Sequence, residues 1–110
     1  MNQTVIARRA AGCAAFLLAA MALVMSGGAL AVDAAAAETL ARQNNCFKCH
    51  AVDKKKVGPA WNEVAAKLKG DKEAEAKLTK HLTTGPEGHP VVKAKSPDDT
   101  RNLVQWILSL

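Results

Sequence analysis

Apolar side chains recur at helical spacing in three stretches of this 110-residue chain. In two of them the apolar residues fall at positions i, i+3, i+4 and i+7, which form one face of a helix. These residues are Trp61, Val64, Ala65 and Leu68, and then Leu103, Trp106, Ile107 and Leu110. A third helix is predicted between them from Ala74, Leu78 and Leu82. An alternating strand pattern is not found, so the chain is expected to be all-α.

Capping and turn residues set the expected ends of these helices. Gly70 closes the first stretch and Asp71 is expected to cap the next helix. Residues 85–88, which contain Gly and Pro, must form a turn. The last helix should begin at Ser96, a favoured N-cap, which is followed by a proline suited to the first helical position. A further short helix is predicted from Ala37 to Asn45, after a disordered tether at 32–37, which makes four short helices in all.

The first 31 residues have the features of an export signal. Two arginines at 8–9 precede an alanine-rich apolar run at 10–25, and Ala29-Leu30-Ala31 provides the small residues of a cleavage site. A second candidate site lies at 34–37, so cleavage is placed between 31 and 37. The alternative is an uncleaved membrane anchor. Residues 32–110 are then one mature domain without a membrane span, exported to the periplasm by the general secretory route.

The mature segment is small and mildly basic. It carries eleven lysines and two arginines against ten acidic residues, a net charge of about +3. A domain of this size has a thin apolar core, which a large covalently held group would enlarge. The modest charge favours acidic protein partners over nucleic acid.

The strongest chemical pattern is Cys46-Phe47-Lys48-Cys49-His50. C-x-x-C-H is the arrangement that attaches a c-type haem. Its two thiols add to the haem vinyl groups, and the histidine binds the iron as proximal ligand. A thioredoxin-type pair would need a βαβ context, which is not predicted here. Adjacent cysteine and histidine residues are poorly spaced for a tetrahedral zinc site. A disulfide between the two cysteines would leave His50 unexplained.

The mature chain resembles the class I cytochromes c, most closely the small bacterial c551/c8 type, in three segments, of which the first contains the C-x-x-C-H motif. The resemblance covers most of residues 38–110. The matching segments are Cys46 to Asp53, Val57-Gly58-Pro59-Ala60-Trp61 with Val64-Ala65-Ala66-Lys67, and Leu103 to Ser109.

This resemblance implies a class I fold around one covalent haem c and an electron carrier rather than an enzyme. It implies that the Pro59 carbonyl accepts the Nδ1–H of His50 and so orients the proximal ligand. Trp61 is expected beside the haem as a core residue rather than an electron relay. His81, expected to be partly buried, is assigned to a haem propionate, with an ordinary packed or surface histidine as the alternative.

The chain departs from the family at the second axial ligand, which is a methionine in the loop before the last helix. The three methionines here are Met1, Met21 and Met25, all within the predicted export signal. His89, between Gly88 and Pro90 in that loop, is the predicted replacement, since a neutral imidazole is a good haem ligand. His81 is the competing histidine, and a site with no sixth ligand is the third alternative.

The predicted function is a periplasmic monohaem electron carrier with His50/His89 ligation and a lowered potential, because methionine ligation raises the potential. A periplasmic dehydrogenase is one expected donor. The exposed run Lys54-Lys55-Lys56 would steer an acidic redox partner or be simply a solvated loop. Two alternatives remain: a five-coordinate protein that senses NO or CO, and a haem subunit of an oxidoreductase complex.

Overall fold

The structure, a computed structural model, describes residues 31–110, and the predicted export signal lies outside this part except for its last residue. The described residues form four α-helices and no strand, which confirms the all-α prediction. The helices are α1 (Ala34–Gln43), α2 (Trp61–Leu68), α3 (Ala74–Thr84) and α4 (Pro97–Leu108). Two short 3-10 helices, Cys46–Lys48 and Pro86–Gly88, follow α1 and α3.

Helix α1 begins earlier than predicted, so the expected disordered tether at 32–37 is wrong. The Asp33 side chain caps α1 by accepting a hydrogen bond from the Ala36 amide at 2.9 Å. The backbone of Asp33 is held in turn by Asn102 of α4, whose side chain bonds its N–H and its carbonyl, each at 2.8 Å. Because Ala37 is fully buried, the first turn of α1 belongs to the folded domain.

Two other predicted boundaries are also corrected. Residue Glu73, not Asp71, is the N-cap of α3, although the Asp71 carboxylate accepts the Glu73 amide at 2.8 Å and pairs with Lys77. This pairing lowers the pKa of Asp71. Helix α4 begins as predicted, with Ser96 accepting the Asp99 amide, but it ends at Leu108. Leu110 therefore lies beyond the helix and is 38% exposed.

The apolar core forms where α4 packs against the other three helices. Alanines at 37 and 41 are fully buried, and such small side chains let α1 approach α4 closely. The core residues are Ala37, Leu40, Ala41, Trp61, Leu82, Leu103, Val104, Trp106 and Ile107. Within residues 31–110, no helix combines the length and the apolar character that crossing a bilayer would require.

Substitution of the buried Leu103 should destabilise the whole domain. Leu103 is 1% exposed, and Leu103→Ala should lower the free energy of unfolding by about 2–5 kcal/mol through lost transfer energy and an unfilled cavity. Denaturant unfolding of the haem-loaded protein measures this. Leu110→Ala is the control and should change stability by less than about 1 kcal/mol. Equal losses in both variants would contradict the placement of the core.

Candidate haem-binding site

The C-x-x-C-H segment is folded into a tight turn at the end of α1. Asn45 adopts a left-handed conformation (φ 57°), which asparagine tolerates better than most residues, and redirects the chain into the 3-10 helix. The amides of Cys49 and His50 both donate to the Cys46 carbonyl, at 3.1 and 3.0 Å. Both thiols are free and half-buried, and burial raises the pKa of the Cys46 thiol.

The His50 ring is oriented by the segment that follows the turn. Its Nδ1 lies 2.7 Å from the carbonyl oxygen of Pro59, and the Gly58 amide donates to the Cys49 carbonyl at 2.7 Å. A carbonyl oxygen can only accept, so Nδ1 carries the proton. In the neutral tautomer that carries this proton, the lone pair of Nε2 is available for a metal.

Gly58 allows the segment to approach His50 closely. A Cβ at this position would lie 2.8 and 2.9 Å from the two ring nitrogens of His50 and closer still to Cε1. The segment therefore presses directly on the ring that it orients. Gly58 was part of the recognised sequence pattern, but the pattern did not reveal this packing role.

Trp61 connects the His50 ring to the apolar core. The indole is 5% exposed and stacks on His50 with ring centroids 5.6 Å apart. Its other neighbours are Phe47 and Trp106, both in edge contact, at 5.1 and 5.4 Å. Such pairs stabilise aromatic clusters beyond the area that they bury. Trp61 is thus a core residue that also packs behind the candidate proximal ligand.

A cavity of about 830 Å³ opens in front of these residues. This volume lies within the range of about 300–1,000 Å³ that is usual for ligand pockets. Its walls combine two free thiols, histidines and many apolar side chains. They include Cys46, Cys49, His50, Val64, Leu68, Leu78, Leu82, His89, Val92 and Ile107. This set fits a haem, because it offers two thiols for thioether bonds, an axial imidazole and apolar surface for the porphyrin.

His89 lies on the cavity wall facing His50, with ring centroids 6.2 Å apart. It follows the second 3-10 helix, and its Nδ1 lies 2.9 Å from the Pro90 carbonyl oxygen. The same reasoning as for His50 places a proton on Nδ1, so that Nε2 is the nitrogen with the free lone pair in the neutral tautomer. Gly85 shapes this loop: it has φ 59°, and a Cβ there would collide with the His89 carbonyl oxygen.

His81 lies beside His89 rather than opposite His50. It is in the last turn of α3, and its ring centroid is 4.5 Å from that of His89. The expectation that His81 is partly buried is wrong, since the residue as a whole is exposed. Partial desolvation of the ring still lowers the pKa of His81, and the nearby His89 lowers it further.

The loop that carries His89 is tied to the helices by two neighbouring residues. The Val92 amide donates to the Leu82 carbonyl at 2.9 Å. The Asn44 side chain accepts from the Lys93 amide at 2.7 Å and donates to the Lys93 carbonyl at 3.1 Å. Asn44 was not identified from the sequence, and no local pattern could have identified it, because its partner is 49 residues away.

A small helical domain with a C-x-x-C-H turn and an adjoining apolar cavity defines a c-type haem protein. The family model described as cytochrome c matches residues 34–110. The chain belongs to the cytochrome c family, as the resemblance predicted. It carries covalent haem c and is an electron-transfer protein rather than an enzyme.

Comparison with individual proteins places the chain among the small class I members. It is 39% identical to cytochrome c-551 of Pseudomonas aeruginosa over 97 residues, which cover 84% of this chain and 90% of that protein. The crystal structure of the class 1 cytochrome MtoD from Sideroxydans lithotrophicus ES-1 is 50% identical, with a TM-score of 0.63, and covers 72% of this chain and 97% of that one. The crystal structure of wild-type cytochrome c552 from Nitrosomonas europaea is 35% identical, with a TM-score of 0.57. The match covers 66% of this chain and 98% of that protein.

Substitution of Gly58 should disturb the proximal ligand. In Gly58→Ala the added methyl group must displace the His50 ring or its own backbone, at a cost of about 1–3 kcal/mol. We expect a lower melting temperature and an altered Soret spectrum in the haem-loaded protein. Gly70→Ala is the control, because it carries only the cost of a positive φ (80°), with no atom within 4 Å of the added Cβ. A wild-type spectrum and melting temperature in Gly58→Ala would refute the close approach.

Proposed function

We propose that this protein is a periplasmic electron carrier whose single haem is ligated by His50 and His89. The observation that carries the proposal is the separation of the two rings. Two imidazoles that share one metal, with bonds of about 2.0–2.1 Å and ring radii of about 1.2 Å, have centroids about 6.4 Å apart. The separation between His50 and His89 is 6.2 Å.

The hydrogen bonds of the two rings support the same assignment. Each Nδ1 is engaged by the carbonyl oxygen of a proline, Pro59 for His50 and Pro90 for His89. Such bonds fix the tautomer and ring orientation of metal-ligating histidines and make the free nitrogen more basic. Nε2 is therefore the coordinating atom proposed for both rings.

The composition of the domain supports a lowered potential. Residues 31–110 contain no methionine, and methionine is the axial ligand that raises the potential of cytochromes c. When bound, the haem supplies the one-electron chemistry. The chain binds it through Cys46 and Cys49, orients both axial imidazoles and covers it with apolar side chains. His81 is proposed to contact a haem propionate.

The surface beside the cavity supports docking of an acidic redox partner. Residues 53–57 are all exposed, and Val57, which is 82% exposed, lies at the cavity rim directly after Lys54-Lys55-Lys56. Lys56 is held by the Phe47 carbonyl at 2.7 Å, so its charge stays near the haem-binding turn. Export to the periplasm by the signal at 1–31 would place the protein with its proposed donor, a periplasmic dehydrogenase.

Replacement of His89 tests the ligation. We expect low-spin absorption spectra for the wild-type protein in both redox states and slow binding of CO. His89→Ala should become high-spin and bind CO at once, because the sixth position is open. His81→Ala is the matched control, an adjacent histidine that should keep the low-spin spectrum.

Other spectra would contradict the proposed ligation. A wild-type protein that is already high-spin would support the five-coordinate gas-binding alternative. Loss of the low-spin spectrum in His81→Ala but not in His89→Ala would identify His81 as the ligand.

Reversal of charge at the cavity rim tests the docking surface. Lys54→Glu/Lys55→Glu should slow electron transfer at a gold electrode coated with a carboxylate-terminated monolayer, at low ionic strength, by roughly tenfold. The difference should shrink as salt screens the charges. Lys72→Glu/Lys80→Glu makes the same charge change in a groove lined by α3 and the turn before it, outside the cavity, and should have a smaller effect. Equal slowing in both variants would indicate an effect of net charge alone.

A further inference from the structure

The segment that carries His89 makes few hydrogen bonds to the rest of the domain, although Val92 and Ala94 also pack against the apolar core. In the described part of the chain, the hydrogen bonds that join residues 88–95 to the helices are made by Val92 and Lys93. Both attachments follow His89, by three and four residues. The preceding turn contains three residues with positive φ, Gly85, Glu87 and Gly88, and the Gly85 amide ties its start to the His81 carbonyl of α3 at 3.1 Å.

Asn44 makes the attachment at Lys93 with one side-chain amide. Its Oδ1 and Nδ2 pair with the N–H and the carbonyl of Lys93, at 2.7 and 3.1 Å, in the manner of a bridge between two strands. Nδ2 also donates to the Leu40 carbonyl at 2.9 Å, which fixes the amide on the end of α1. Among the common side chains, only a carboxamide both donates and accepts in this way, and that of glutamine is one methylene longer.

We propose that Asn44 is a positioning residue that keeps His89 on the iron and so limits access of external ligands to the haem. This inference rests on the proposed His89 ligation. The loop would exchange between a closed form, with His89 bound, and a minor open form. Hydrogen bonds made only in the closed form lower the open population, and the loss of the two bonds to Lys93 raises it by about tenfold.

The rate of CO binding to the reduced, haem-loaded protein measures the open population. CO binds only the open form, so its observed rate at limiting CO scales with the open fraction. Asn44→Ala should bind CO about tenfold faster than wild type and should still have a low-spin spectrum before CO is added. Asn44→Asp keeps the acceptor for the Lys93 amide but sets a carboxylate against the Leu40 and Lys93 carbonyl oxygens at the C-terminus of α1, so its rate should rise as well.

Asn102 provides a matched control. Its side chain makes the same reciprocal pair with the backbone of Asp33, each bond at 2.8 Å, at the far end of α1. Asn102→Ala should destabilise the domain to a similar extent in thermal unfolding, but its CO rate should stay within about twofold of wild type. This separates a loop effect from a general loss of stability.

The outcomes distinguish this inference from the proposed ligation. A CO rate unchanged in both Asn44 variants, with a low-spin wild type and a high-spin His89→Ala, would overturn the role of Asn44 and leave the ligation intact. A rate raised equally by Asn102→Ala would overturn it as well. A high-spin wild type would overturn the ligation itself, on which the inference depends.

Discussion

The orientation of two facing histidine rings depends on two prolyl carbonyl groups. Pro59 and Pro90 each present a carbonyl oxygen to an Nδ1 atom, and the rings of His50 and His89 come to lie 6.2 Å apart across the cavity. Proline is suited to both positions because its ring fixes φ and so restricts the local backbone. A shift of either carbonyl would rotate the ring that it holds, and both rings must point at one metal for the proposed ligation.

The packing of the domain is organised around the same cavity. Its described part has 80 residues, and the core that α4 forms with the other helices lies behind Trp61. In front of Trp61, apolar side chains such as Leu78 and Val92 line a space of about 830 Å³ instead of packing on each other. A haem that fills this space would contact these cavity-lining side chains and extend the apolar core beyond Trp61. A chain of this size buries too little surface to form a large core by itself.

The distal side is built differently from the proximal side. His50 follows a turn whose two thiols would bind the haem covalently, and it is backed by Trp61. His89 stands on a loop that is hydrogen-bonded to the helices at Val92 and Lys93. Segments with few buried contacts open more readily than the core. Under the proposed ligation, an external ligand would therefore reach the iron by opening of the His89 loop rather than on the His50 side.

The sequence by itself determined the haem motif, the all-α class and the features that depend on neighbouring residues, namely helix spans and caps. The spans of α2 and α4 and the Ser96 cap follow from spacing and capping within a few residues. The start of α1 did not, because it also depends on Asn102, which is 69 residues from Asp33. The sequence suggested the pairing of His89 with His50, but only the tertiary structure gave the 6.2 Å separation of their rings. It also placed His81 beside His89, Gly58 against the His50 ring and Asn44 on the loop that carries His89. Some of these contacts join segments that are distant in sequence, and the others depend on backbone positions to a fraction of an ångström. A periodic sequence pattern specifies neither long-range contacts nor such exact positions.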